Sequence, residues 1–180
     1  CFVAPGGKPV IYDAMMATLN PGDEVIIPAP YCVSYPDIVN LAGGTPVVVE
    51  TRAEDGFKLQ AGDLEAAITE QTKWFIFNSP SNPTGRVEAI DTLKKIEAIT
   101  SELGVYVLSD EVYKDLMYVR ENYLIKGPHV VTINSFSKTF AMCGFRVGYL
   151  WSLDQEMVRE AIDIKTHTSM NTNILGQEMA

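Results

Sequence analysis

The sequence predicts an α/β fold in which helices cover both faces of a mostly parallel β-sheet, a three-layer αβα arrangement. Two observations support this prediction. Short runs of β-branched and aromatic residues alternate along the chain with longer segments whose apolar residues fall on one helical face. In addition, the run at residues 73–77 is apolar enough to be buried on both faces, which is typical of a central strand in a parallel sheet.

The first elements follow in order from local signals. Gly6-Gly7 precedes a helix at residues 10–19, because the apolar side chains of that segment share one helical face. A turn rich in Pro, Gly and Asp leads to a β-branched strand at residues 24–28. The pattern then repeats, with a helix predicted at residues 34–41 and a strand at residues 46–50.

The middle of the chain continues the alternation. A short helix at residues 63–68 leads to the central strand at residues 73–77. Residues 88–103 carry a stripe of isoleucine and leucine with charges on the opposite side, which predicts an amphipathic helix. A strand at residues 105–109 follows it.

Two further apolar runs, at residues 130–133 and 146–151, are predicted strands, and a final helix begins at about residue 153. Strands joined in this way through helices form a mostly parallel sheet. Because such sheets bind ligands at the carboxyl ends of their strands, we expect the functional residues directly after the predicted strands.

The composition bounds the domain count and the partners. With 180 residues, 47% of them hydrophobic, the chain is long enough for one sizeable core, and we expect a single domain over residues 1–180. The formal net charge of −9 comes from scattered acidic residues, so neither nucleic acid nor a membrane surface is an expected partner.

The cysteines and the two ends of the chain suggest its context. Cys1, Cys32 and Cys143 are widely separated and form no Cys-x-x-Cys pair, which favours a reducing, cytoplasmic compartment. No apolar run is long enough to cross a bilayer, and the start does not resemble a signal peptide. Since the sequence lacks an initiator Met and ends without a helix stop signal, we expect both ends to lie inside a longer protein.

Three polar segments follow predicted strands: residues 78–85, 109–113 and 134–138. Each has an ordinary explanation when taken alone. The Asn-Pro-Thr-Gly sequence of the first is suited to a turn, Asp110 of the second to a helix cap, and Lys138 of the third to a solvated surface. Their joint position at one sheet edge points instead to a site.

Lys138 is the strongest candidate for chemistry. Phe136 and Phe140 flank it after a buried strand, so we expect its amine to be partly removed from water. Such an amine loses its proton more readily and can attack a carbonyl, as a Schiff base requires. Arg146 follows eight residues later among glycines, where a guanidinium can bind a phosphate bidentately, although a structural ion pair is an equal alternative.

These segments resemble class I aminotransferases, which are fold type I enzymes that depend on pyridoxal 5′-phosphate (PLP). The resemblance covers nearly the whole chain, corresponds to the PLP-binding large domain and is closest to the aspartate aminotransferase group. The motifs that carry it are Asn82-Pro83-Thr84-Gly85, Asp110 to Tyr113, Ser135-x-Ser137-Lys138 with Arg146, Pro5-Gly6-Gly7-Lys8, residues 21–25 and Pro28-Ala29-Pro30-Tyr31.

The resemblance implies a role for each catalytic residue. Lys138 holds the cofactor as a Schiff base and then moves a proton at the substrate α-carbon. Asp110 pairs with the pyridine nitrogen and keeps it protonated. Tyr113 and Asn82 hydrogen-bond the phenolic oxygen of the cofactor.

The resemblance also implies a phosphate site and two cis peptide bonds. The backbone N–H groups of Gly6, Gly7 and Lys8, the hydroxyls of Ser135 and Ser137, and Arg146 bind the phosphate at a helix start. No metal is implied. The cis peptide bonds are Asn82-Pro83 and Ala29-Pro30.

The sequence departs from the family pattern at two places near the cofactor. Cys32 stands where a tryptophan stacks on the pyridine ring, so we expect weaker retention of the cofactor. Pro9 replaces a common glutamine, which a first helical turn tolerates. The resemblance implies that the small domain with its carboxylate-binding arginine and the N-terminal arm lie outside this sequence. His167, Cys143 and Cys1 receive no site role.

The resemblance leads to one main functional hypothesis and two alternatives. The main hypothesis is transamination between an amino acid and a 2-oxo acid, in a protein expected to be a homodimer. A carbon–sulfur lyase or an aminocyclopropane-carboxylate synthase of the same fold would carry the same lysine, aspartate and tyrosine. The other alternative is a PLP-binding fragment without turnover.

Overall fold

The computed structural model describes residues 1–118 and 123–180. Within them, seven strands form one sheet: β1 (Phe2–Ala4), β2 (Glu24–Ala29), β3 (Thr45–Glu50), β4 (Thr72–Asn78), β5 (Tyr106–Asp110), β6 (Val130–Ser135) and β7 (Gly148–Ser152). The helices of the same residues are α1 (Gly7–Thr18), α2 (Ser34–Leu41), α3 (Ala61–Ala67), α4 (Ile90–Glu102), α5 (Phe136–Thr139), α6 (Gln155–Thr168) and α7 (Ile174–Met179).

The strand order is β1-β7-β6-β5-β4-β2-β3. The four pairings among β3, β2, β4, β5 and β6 are parallel, whereas β7 runs antiparallel to both of its neighbours. Two reversals restore the direction, so β1 points the same way as the parallel strands. The carboxyl ends of six strands therefore meet at one edge, and the prediction of a mostly parallel sheet is confirmed.

Helices cover both faces of the sheet, as predicted. On β4, Trp74 and Ile76 pack into the core under α1, α2 and α6, while Phe75 and Phe77 pack into the core under α3 and α4. All four side chains are buried. Burying a side chain of this kind stabilises a fold by about 1.5–3 kcal/mol. Because β4 is buried on both faces at residues 74–77, its sequence there is an uninterrupted apolar run.

The boundaries differ from the predicted ones at the edges of elements. The strand predicted at residues 146–151 begins at Gly148, because Arg146 has φ 54° and ψ 58°, a left-handed conformation that no strand contains. The short elements β1, α5 and α7 were not predicted. Three to six residues are too few for a periodic apolar pattern to emerge.

The structure contains the two expected cis peptide bonds, Ala29-Pro30 and Asn82-Pro83, and a third, Ser79-Pro80, that was not expected. Among the helices of the described residues, none has both the length and the apolar character needed to span a membrane.

Candidate active site

A cavity of about 390 Å³ opens at the carboxyl edge of the sheet. Residues from α1, the segment before α2, and the ends of β4, β5 and β6 line it. All of the predicted site residues except Gly6 are among the lining residues, namely Gly7, Lys8, Cys32, Asn82, Asp110, Tyr113, Ser135, Ser137, Lys138 and Arg146. The topology thus brings together residues that are up to 139 positions apart in the sequence, from Gly7 to Arg146.

Strand register explains why these side chains meet. Asn78, the last residue of β4, is paired with Asp110, the last residue of β5, and Asp110 is paired with Ile133 of β6. Because α5 follows β6 directly, Lys138 lies at the same edge. On the other side of β6, Ser135 is paired with Gly148.

Arg146 lines one end of the cavity, and its guanidinium lies against Gly6. Gly6 has φ 105°, and a Cβ at this position would overlap the guanidinium of Arg146, lying 2.9 Å from its Cζ. Glycine therefore lets the guanidinium lie directly over the residue that precedes α1. Arg146 also donates a hydrogen bond from Nη1 to the carbonyl of Cys143 at 2.9 Å.

Gly148 lets strand β7 approach the same helix start. A Cβ on Gly148 would lie 2.6 Å from the carbonyl carbon of Gly6 and 2.8 Å from the amide nitrogen of Gly7. Any larger residue would push the beginning of α1 away from the sheet. The close approach fixes the amide groups of the first helical turn relative to Arg146.

Two serine hydroxyls complete this end of the cavity. Ser135 is the N-cap of α5, and its Oγ accepts a hydrogen bond from the amide of Ser137 at 3.1 Å. The two hydroxyl oxygens are 2.8 Å apart. A helix N-terminus, a guanidinium and paired hydroxyls form a donor set that fits a phosphate group.

Asp110 lies at the opposite end and is only 7% exposed. Its Oδ2 accepts a hydrogen bond from Tyr35 Oη at 2.7 Å, and its Oδ1 accepts one from the amide of Val112 at 3.2 Å. Burial raises the pKa of this carboxyl from 3.8 to about 6, although both hydrogen bonds oppose the rise. No helix begins at Asp110, so its interpretation as a helix cap is wrong.

Asn78 connects the aspartate to the Asn-Pro-Thr-Gly segment. Its Nδ2 donates to the carbonyl of Asp110 at 2.9 Å, and its Oδ1 accepts from the amide of Asn82 at 2.7 Å. The segment does form a turn, since the amide of Gly85 donates to the carbonyl of Ser81 at 2.8 Å. The turn and the placement of Asn82 in the cavity are therefore compatible.

Lys138 and Tyr113 face each other across the cavity. The Nζ of Lys138 lies 5.9 Å from the centroid of the Tyr113 ring. Burial, followed by the negative charge of Asp110, raises the pKa of Tyr113, which keeps its hydroxyl protonated as a hydrogen-bond donor.

The sequence predicts that the amine of Lys138 is partly removed from water. This prediction is wrong, because the Lys138 side chain is exposed. Phe136 stacks on Phe140 with ring centroids 5.4 Å apart, and Phe140 itself is 60% exposed. The flanking aromatic residues therefore pack on each other and leave the amine open to solvent.

Arg146 is in none of the ion pairs found among the described residues, which involve Arg52, Arg86 and Lys114. Its alternative interpretation as a structural ion pair is therefore wrong for this part of the chain. Cys143, which received no site role from the sequence, is exposed and lines the cavity. His167 lies exposed in the last turn of α6, outside the cavity.

Sequence reasoning missed Tyr35 and gave no role to Asn78 and Asn134, which also line the cavity. The two asparagines stand in the polar segments after predicted strands, so their position was a usable signal. Tyr35 gave none, because it lies on the buried face of a predicted helix and contacts a residue 75 positions away.

Cys32 is half-buried against the cavity, at the position where the resemblance to class I aminotransferases implies a stacking tryptophan. Replacing it by tryptophan is expected to tighten PLP binding about 2- to 10-fold, because an offset-stacked aromatic pair contributes about 0.5–1.5 kcal/mol beyond its buried area. Titration of the cofactor-free protein with PLP measures the effect. The matched control is Cys32→Leu, which adds apolar area without a ring, and equal affinities for the two variants would contradict the stacking explanation.

Comparison with known proteins gives consistent results. The family model described as aminotransferase class I and II matches residues 1–180. The aspartate/prephenate aminotransferase of Cereibacter sphaeroides is 44% identical over 99% of this chain and 46% of its own length. The aspartate aminotransferase of Streptomyces avermitilis is 39% identical over 95% of this chain and 43% of its own length. The chain thus spans about half the length of the curated relatives it matches.

Solved structures show the same fold. The aspartate aminotransferase from Thermus thermophilus with maleate superposes with a TM-score of 0.93 at 36% identity, covering 98% of this chain and 47% of the other. The aspartate aminotransferase of Thermotoga maritima gives 0.93 at 37% identity, covering 97% and 48%. Because the family model matches from residue 1 to residue 180, the chain belongs to the class I and II aminotransferase family.

Proposed function

We propose that the protein is a PLP-dependent aminotransferase that transfers an amino group between an amino acid and a 2-oxo acid. One observation carries the proposal. A primary amine, a buried carboxylate and an anion-binding helix start lie around a single cavity, at Lys138, Asp110 and Gly7. These three groups match the aldehyde, the ring nitrogen and the phosphate of the cofactor.

PLP supplies an acceptor for the electrons left behind when a proton departs from the substrate α-carbon. The residues of the chain then divide the remaining work. The helix start, Arg146 and the two serines bind the phosphate. Asp110 presents a negative charge to the ring nitrogen. Lys138 would hold the cofactor through Nζ and would be the base that moves the proton at the substrate α-carbon.

Tyr113 and Asn82 are assigned to the phenolic oxygen of the cofactor. The Tyr113 hydroxyl is a donor whose pKa is raised, so it remains protonated in the neutral range. The backbone amide of Asn82 donates to Asn78, and Asn78 donates to the backbone carbonyl of Asp110, so the backbone of Asn82 is linked to the end of β5. Both residues would tune the proton affinity at Lys138 Nζ when the cofactor is bound, without entering the reaction.

The assembly and location are part of the same proposal. We infer that residues 1–180 form one PLP-binding large domain, that the protein is a homodimer and that it is cytoplasmic. Four apolar side chains on and before α7 are 65–74% exposed, which supports contact with another polypeptide: Met170, Ile174, Leu175 and Met179. Three unpaired cysteines support a reducing compartment.

The test begins with covalent trapping. The purified protein is incubated with PLP and reduced with borohydride, and peptide mapping is expected to find a pyridoxyl group on Lys138. A reduced protein without an adduct at this lysine would remove the Schiff-base assignment. An adduct without any turnover would instead favour a binding module.

Product analysis then identifies the reaction. Aspartate is the first amino donor to test, because relatives at 39% and 44% identity are named aspartate and aspartate/prephenate aminotransferases. Formation of a 2-oxo acid together with the aminated cofactor is expected. With cysteine as the substrate instead, release of pyruvate, ammonia and hydrogen sulfide would indicate β-elimination, and hence a lyase of the same fold.

A further inference from the structure

We propose that Tyr35 is a positioning residue that holds Asp110 oriented and negatively charged, so that the carboxylate can pair with a cationic ring nitrogen. The inference deepens the proposed function and rests on it. Tyr35 touches neither substrate nor reacting atoms in this assignment. It acts only through Asp110.

The geometry fixes both oxygens of the carboxylate. Tyr35 is 4% exposed, lies on α2 and donates to Asp110 Oδ2 at 2.7 Å. The amide of Val112 donates to Oδ1 at 3.2 Å. With one donor on each oxygen, the carboxylate plane cannot rotate freely, and Asn78 holds the backbone carbonyl of the same residue. Side chain and backbone of Asp110 are thus fixed by three different elements.

The hydrogen bond from Tyr35 also favours the negatively charged form of Asp110. A carboxylate buried as deeply as Asp110 favours its neutral form, and only the Tyr35 hydroxyl and the Val112 amide oppose this. Burial, followed by the charge of Asp110, raises the pKa of Tyr35 well above its ordinary value of 10. Tyr35 therefore remains a neutral O–H donor throughout the working pH range and contributes no charge of its own.

Several elements contribute other titratable and charged groups that line the cavity or act on Asp110. They are Lys8 of α1, Cys32 before α2, Glu111 and Tyr113 after β5, Lys138 of α5, and Cys143 and Arg146 before β7. Glu111 raises the pKa of Asp110. None of these groups is changed by replacing Tyr35 with phenylalanine, which keeps the ring and removes only the hydroxyl.

The experiment measures PLP affinity against pH for the wild type and Tyr35→Phe. Losing one hydrogen bond to a charged group is expected to move the protonation of Asp110 upward by about one to two pH units. Because a protonated Asp110 has no negative charge to pair with a protonated ring nitrogen, the variant should bind PLP about 10-fold more weakly than the wild type at pH 6 and equally well at pH 9.

Tyr106→Phe is the matched control. Tyr106 also donates to a carboxylate, Asp154 Oδ2 at 2.5 Å, and lies on the same strand as Asp110 but outside the cavity. The ratio of the PLP affinity of Tyr106→Phe to that of the wild type should be the same at every pH. In an Asp110→Asn background, Tyr35→Phe should likewise lose its pH-dependent effect, since the amide does not titrate.

The outcomes separate this inference from the proposed function. A Tyr35→Phe protein weakened by the same factor at all pH values would reduce Tyr35 to a packing role and overturn the inference alone. If Asp110→Asn binds PLP as well as the wild type at every pH, the carboxylate does not contribute to binding and the inference fails alone. If the wild type binds no PLP, the proposed function fails and the inference fails with it. A pH-dependent ratio that disappears in the Asp110→Asn background supports both.

Discussion

Replacing Lys138 by alanine is expected to lower kcat/KM for transamination by at least about 10⁴-fold, because the change removes both the covalent attachment point and the base that moves the α-proton. The reducible bond to PLP should disappear as well. Noncovalent binding should persist, since the phosphate site around Gly7 and the Asp110 carboxylate are left intact. Steady-state kinetics and borohydride trapping measure the two losses separately.

Lys95→Ala is the control for this prediction. Lys95 is also exposed, but it lies on α4 on the other side of the sheet. Its removal should leave kcat/KM within a factor of about two, as is usual for a surface substitution. Retention of borohydride trapping in Lys138→Ala would place the reactive amine elsewhere and contradict the assignment.

The central elements of the fold were predictable because their side chains are buried on a regular period. The run at residues 73–77 became β4, and the amphipathic segment at residues 88–103 became α4. The prediction of such an element depends on many buried side chains together, so one atypical residue does not change it. The order of the strands in the sheet did not follow from the sequence, because it depends on which helices cross to which face.

The backbone around the phosphate site could not be predicted from periodicity. Arg146 stands beside an apolar run and was therefore assigned to a strand, yet it is left-handed, with its guanidinium over Gly6. Gly148 matters because of a strand that was not predicted: β1 brings Gly6 against it. Contacts between distant segments decide both positions.

Some residues of the candidate site were predictable from the sequence and others were not. Polar residues directly after strands, such as Asp110 and Lys138, were identified because the carboxyl edge of a parallel sheet gathers them. The exposure of Lys138 was predicted wrongly, since flanking aromatic residues in a sequence do not reveal which way they pack. Tyr35 was missed because its polar atom is a small part of a side chain that is otherwise ordinary core.

Asp110→Asn is expected to lower kcat/KM and to raise the free energy of unfolding. Its kcat/KM should fall about 10²- to 10³-fold, because a charge aligned with the developing charge of the reaction is lost. The pKa of Asp110 is raised from 3.8 to about 6, so between these values the folded, cofactor-free protein binds a proton that the unfolded chain has released. The carboxylate therefore destabilises the fold increasingly as pH rises through this window, reaching about 3 kcal/mol above pH 6.

The asparagine variant should recover part of that free energy. Its carbonyl oxygen can still accept from Tyr35, but its amide group then faces the Val112 amide, which is also a donor. We therefore expect the cofactor-free variant to gain about 1–2 kcal/mol in free energy of unfolding at pH 7 and almost nothing at pH 4. Urea unfolding at the two pH values measures the difference.

Asp13→Asn distinguishes a functional carboxylate from one that is merely buried. Asp13 lies on α1 outside the cavity, is fully buried, and has a pKa raised to about 6, chiefly by burial. Its Oδ1 accepts from Thr168, while its Oδ2 has no partner among the described residues. The variant should show a similar pH-dependent gain in stability without losing activity. If both variants gain stability and only Asp110→Asn loses activity, the protein tolerates a destabilising charge at Asp110 because the reaction needs it. If neither variant gains stability, the raised carboxyl pKa values do not lower the stability of the fold, which would contradict the prediction.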